Sequence, residues 1–151
     1  MAQGLPDAVS TDNPVFRAYL FYCGILILKM MLMTILTARQ RIKHKSFANE
    51  EDAKNFKGKV RVVENVERVR RAHLNDVENI PLFFVGAFIY TLTNPSEYVA
   101  KSLFLAYTVA RIVHTFVYAV YVVPQPARGL SFGVGVFITG YMVIKGLINF
   151  A

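Results

Sequence analysis

Residues 80–93 form an apolar run of 14 residues that follows directly on a dense polar string, Val66-Glu67-Arg68-Val69-Arg70-Arg71-Ala72-His73-Leu74-Asn75-Asp76. A helix needs about 20 residues to cross a hydrocarbon core of roughly 30 Å, so this run cannot cross alone. Extended backward, it carries Asn75, Asp76 and Glu78 into the membrane. Ionisable side chains at that depth are costly and mark function.

The rest of the chain supplies the membrane context. Three longer apolar blocks lie at residues 15–36, 98–123 and 129–151, of 22, 26 and 23 residues, and each is long enough to span with some tilt. Hydrophobic residues make up 54% of the 151-residue chain and sit in blocks rather than in amphipathic stripes. The fold class expected is an all-α membrane protein, a four-transmembrane-helix bundle forming a single membrane domain over 1–151. Its helices are expected at about 15–38, 66–94, 98–123 and 128–150, with a loop over about 39–65.

Basic residues set the expected orientation. Of the 17 Lys and Arg residues, 11 fall between residues 39 and 71, and the turn at 94–97 has none. The positive-inside rule places the loop in the cytosol and the amino terminus in the lumen. Residues 1–14 hold Asp7 and Asp12 but no Lys or Arg, which argues against a cleaved signal peptide. The formal charge of +7 suggests affinity for anionic lipid head groups; no nucleic-acid module accompanies it. Cys23 is the sole cysteine, and no His or Cys pair has metal-ligand spacing.

Helical spacing organises the polar residues. Arg71, Asn75 and Glu78 stand at i, i+4 and i+7 and share a face, with Arg71 a candidate partner for Glu78. Arg111, His114 and Tyr118 repeat the pattern in the next block. Arg111 lies near the middle of that block, where a guanidinium must meet an acid, carbonyls or water. A structural ion pair with Glu78 or Asp76 would satisfy it, and a ligand would too. Arg128 opens the last block after Pro124-Gln125-Pro126-Ala127. A guanidinium beside the free amides of a helix start makes an anion site, although it also serves as a positive-inside anchor. Lys29 and Lys145 either snorkel or pair and have no assigned role.

Three arginines, an acid, an amide, a histidine and a tyrosine beneath an apolar roof suit a small polar ligand with carboxylates and an ammonium, beside an apolar co-substrate. Glutathione has that chemistry, and its thiol supplies a reaction. The string at 66–76, together with Lys29-Met30-Met31-Leu32-Met33, Phe47-Ala48-Asn49, Ala110-Arg111-Ile112, His114-Thr115 and Pro124-Gln125-Pro126 with Arg128, resembles the microsomal glutathione transferases. These belong to the superfamily of membrane-associated proteins in eicosanoid and glutathione metabolism.

The resemblance implies a homotrimer in the endoplasmic reticulum membrane, with the mitochondrial outer membrane a second location. Glutathione would serve as co-substrate, bound between protomers, and no prosthetic group is implied. Its contacts would be Arg41, Arg71, His73, Asn75, Glu78, Arg111 and Tyr118, with Arg128 and Tyr118 catalytic. The partners implied are hydrophobic electrophiles or lipid hydroperoxides and the bilayer itself. Mammalian transferases carry Cys where Ala53 stands, so activation by thiol modification does not carry over. Related prostaglandin E synthases place Arg at Leu74 and Ser at Gly129, which favours the transferase. A synthase and a non-catalytic lipid-presenting protein are the alternatives.

Overall fold

The computed structural model describes residues 5–151, and helix accounts for 80% of it. A short helix α1 (Leu5–Ala8) precedes the long helix α2 (Pro14–His44). Pro14 stands at the start of α2, where its missing N–H costs nothing, and the Asn13 side chain accepts from the Val15 and Phe16 amides. Arg41, Lys43 and His44 in the last turn face the negative end of the helix dipole, and Lys45 closes the helix in the left-handed conformation at φ 49°.

A small loop unit follows. It comprises β1 (Ser46–Phe47), α3 (Glu50–Asn55) and β2 (Lys59–Val60), with the strands paired in parallel. A Cβ on Gly58 would run into the Phe47 ring and the Lys45 carbonyl, so this crossing admits only glycine. Then come α4 (Glu64–Leu92), α5 (Glu97–Thr115), a π-helical turn over Phe116–Val120 and α6 (Ala127–Phe150).

Helices α2 and α6 each pack on both α4 and α5. Leu26, Ile80, Phe83, Phe104, Tyr107, Ile138 and Met142 fill the centre, where the Phe83 and Tyr107 rings stack 3.9 Å apart. The outer surface is apolar as well: Phe21, Leu28, Leu32 and Ile35 on α2 and Phe137 on α6 are all exposed. A face of that kind requires lipid rather than water. Among the described residues three helical stretches, Pro14–His44, Glu97–Val120 and Ala127–Phe150, are long and apolar enough to cross a membrane. The chain is therefore an all-α membrane protein. Helix α4 is long enough too, but its first half carries the polar string.

Close packing of α4 on α6 depends on Gly146, because a Cβ there would overlap the Ile89 side chain. Gly146→Ala is expected to lower stability by about 1–3 kcal/mol through overpacking. A thermal melt in detergent reads this directly, and an unchanged midpoint would mean that Ile89 moves aside freely.

Candidate functional site

Two polar clusters lie along the bundle, one buried in its middle and one at the end that carries the basic loop. The buried cluster centres on Asp76, which α4 places on its inner face with Val69, Ala72, Ile80 and Phe83. Asp76 is fully buried. Its Oδ1 accepts from Arg111 Nη2 at 2.6 Å, and its Oδ2 accepts from Lys29 Nζ. The same Arg111 Nη2 donates to Asn75 Oδ1 at 2.8 Å. Arg111 is likewise fully buried, and its Nε and Nη1 have no hydrogen-bond partner. Two basic side chains thus share one carboxylate at the centre of the bundle.

The second cluster is more open. Arg128, the second residue of α6, holds its guanidinium 4.6 Å from the centre of the Tyr118 ring. Such stacking fixes a guanidinium in place while leaving its N–H groups free to meet an anion. The His114 ring meets the Tyr118 ring edge-on, 5.6 Å between centres. Tyr118 lies within the π-helical turn, where the wider winding departs from the 3.6-residue period that relates it to Arg111.

Arg71 approaches the same tyrosine from α4. It donates to Glu64 Oε1 at 2.6 Å, and Tyr118 and Glu64 together hold the guanidinium above the usual arginine range. Glu64 also accepts from Arg68 at 3.3 Å. Arg68, Arg71 and Arg128 therefore gather around one carboxylate and one phenol, an arrangement that attracts a further anion.

The sequence-predicted residues divide accordingly. Arg71, Tyr118 and Arg128 meet in the open cluster, with His114 beside them, and Asn75 and Arg111 meet in the buried one. Arg41 and His73 are part-buried and Glu78 is exposed, and among the described residues none of the three bonds to either cluster. One expected pairing resolves differently, and one choice left open in the sequence is made. Arg71 pairs with Glu64 rather than Glu78, about two helical turns toward the loop, and of the two acids open to Arg111 it meets Asp76. Lys29 gains its partner across 47 residues of chain, and Glu64 joins the open cluster; nothing in local spacing points to either. Among the described residues no group of three or more His, Cys, Asp or Glu side chains is placed to hold a metal ion.

Residues 19–148 match the model of the MAPEG family, which covers most of the chain. The chain belongs to the MAPEG family. It is 47% identical over 140 residues to the Mus musculus protein named microsomal glutathione S-transferase 1, an overlap that takes in 89% of this chain and 90% of the relative. The Homo sapiens protein of that name is 44% identical over the same length and shares of each chain. Similarity to Homo sapiens prostaglandin E synthase is lower, at 39% over 110 residues, or 71% of this chain and 72% of the synthase. As a MAPEG member the chain thus shares more of its sequence with the transferases than with the synthases.

Proposed function

We propose that this chain is a membrane-bound glutathione transferase that ionises the glutathione thiol and delivers it to hydrophobic electrophiles. The observation that carries the reading is Arg128 stacked on Tyr118 at the start of α6, next to Arg71, in a chain 44–47% identical to transferases over most of its length. A free thiol has a pKa of about 8.5, which leaves a few per cent ionised at neutral pH. Two units of depression would make thiolate the main form and require about 2.7 kcal/mol of differential stabilisation. One well-aimed guanidinium in a partly dry site supplies that much.

Arg128 stabilises the sulfur anion and the Tyr118 hydroxyl donates to it, while Arg41, Arg71, His73, Asn75, Glu78 and Arg111 hold the peptide. The thiolate forms a carbon–sulfur bond as the electrophile loses its leaving group, and the thiol proton passes to solvent. With a lipid hydroperoxide as acceptor, a pair of glutathiones gives up two electrons and two protons and yields disulfide, alcohol and water.

In this reading α2, α4, α5 and α6 all span the endoplasmic reticulum membrane, with the mitochondrial outer membrane as a second location. The amino terminus is lumenal and the 39–65 loop cytosolic. A homotrimer completes the site. Support for that comes from Glu78, a carboxylate exposed on a face of α4 that also exposes Leu74, Val77, Leu82 and Val85. Such a face fits neither lipid nor water, and a second copy covers it while bringing partners to Glu78, His73 and Arg41.

Glu78→Gln is expected to raise the glutathione dissociation constant about tenfold, the loss of one charged hydrogen bond, with little change in thermal stability. Isothermal titration in detergent beside a melt separates the two. Loss of stability with affinity intact would make Glu78 a structural residue. The proposed activity itself is tested by conjugation of glutathione to an aryl halide on the purified chain.

Similarity to prostaglandin E synthases supports a second reading, in which the same thiolate drives prostaglandin isomerisation. Leu74 and Gly129 stand where those synthases are expected to carry Arg and Ser, and product analysis on a prostaglandin precursor separates the two readings. A non-catalytic lipid presenter would have no use for three converging arginines.

A further inference from the structure

We propose that Lys29 and Asp76 are positioning residues that fix the amide of Asn75 in the orientation glutathione needs; the proposal rests on the transferase reading above. Arg111 carries five N–H groups, which can only donate. Because Arg111 Nη2 donates to Asn75, the Asn75 atom it meets must be Oδ1, and the amide NH₂ is left to point away from the guanidinium. An Asn held this way offers donors alone to a ligand and selects a carboxylate or carbonyl acceptor.

That orientation depends on Lys29. Arg111 meets Asp76 through a single nitrogen, although its Nε and Nη1 are free of partners and a carboxylate readily takes a guanidinium with both oxygens. What prevents the two-pronged grip is Lys29, which occupies Asp76 Oδ2. Remove the ammonium and Oδ2 becomes a vacant acceptor in a dry site, next to unspent donors on Arg111. The guanidinium then closes onto Asp76 with two parallel bonds and releases Asn75, whose amide turns freely.

The net charge of the group favours this outcome over unfolding, because without Lys29 one acid still faces one guanidinium. Lys29→Met is therefore expected to keep the fold, raise the KM for glutathione about tenfold and leave kcat at saturating glutathione nearly unchanged. Lys29→Gln, whose amide still donates to Oδ2, is expected to keep the KM close to wild type. In an Asn75→Ala background Lys29→Met should add nothing further, since both changes remove the same contact.

The test is steady-state kinetics on the full chain in detergent, preceded by titration of glutathione into the unmodified protein. Absence of binding in that titration would overturn the transferase reading itself. Binding that Lys29→Met leaves unaltered, or effects of Lys29→Met and Asn75→Ala that add, would overturn the relay alone. Should Lys29→Met not assemble, Lys29→Ala, which also vacates Asp76 Oδ2, carries the test: a tenfold rise in KM upholds the relay and an unaltered KM overturns it.

Discussion

Arg128→Ala is expected to lower the rate of aryl halide conjugation about a hundredfold, while the protein assembles and melts as before. The magnitude is that of removing one preorganised donor from a developing or resident anion. The selectivity for catalysis follows from where Arg128 sits. It lies in the first turn of α6, part-exposed, with its guanidinium stacked on Tyr118 and no ion pair to any acid among the described residues. Its charge at a helix start opposes the dipole, so the fold gains little from it. Arg128→Lys should recover only part of the rate, because an ammonium keeps the charge but loses the planar stacking that aims it. Equal turnover in all three proteins would remove Arg128 from the mechanism.

Asp76→Asn should have the largest effect on stability, a loss of about 3–5 kcal/mol. The change leaves the Lys29 ammonium and the Arg111 guanidinium buried together with no anion, and Asp76 and Arg111 have no access to solvent. A melt in detergent should show a midpoint far below wild type, or no folded protein at all. Replacing all three groups at once, with Lys29→Met, Asp76→Leu and Arg111→Met, should restore stability, because apolar side chains of similar volume need no desolvation offset. That triple variant would still lose glutathione binding with the Asn75 orientation. An unchanged midpoint in Asp76→Asn would mean that water reaches the cluster and screens it.

The membrane character of the fold was legible because lipid imposes it on composition: α2, α5 and α6 need apolar residues on every outward side, and those runs are visible without any knowledge of packing. The polar string before residue 80 was equally plain, since it stands where apolar residues are required. Within that string, periodicity could place Arg71, Asn75 and Glu78 on one face but could not tell which edge of the face turns inward. Asp76, one residue and about 100° further round the helix, is the group the bundle buries.

Other features had no local signal. The Lys29 to Asp76 contact joins α2 to α4, and an isolated lysine in an apolar block reads as a snorkelling side chain until its neighbour is known. The π-helical turn at Phe116–Val120 changes the winding just where Tyr118 meets Arg71 and Arg128, and no residue in Phe-Val-Tyr-Ala-Val announces it. Glu64 lies at the first turn of α4, where an acid is expected for the dipole alone. Its bonds to both Arg68 and Arg71 give it a second use.

Glutathione titrated into the purified chain at neutral pH, followed by the ultraviolet absorbance of thiolate, tests the central claim most directly. The account predicts an absorbance that grows and saturates as the site fills, and that is lost in Arg128→Ala while glutathione still binds. Saturable binding to the unmodified protein with no thiolate signal would contradict it.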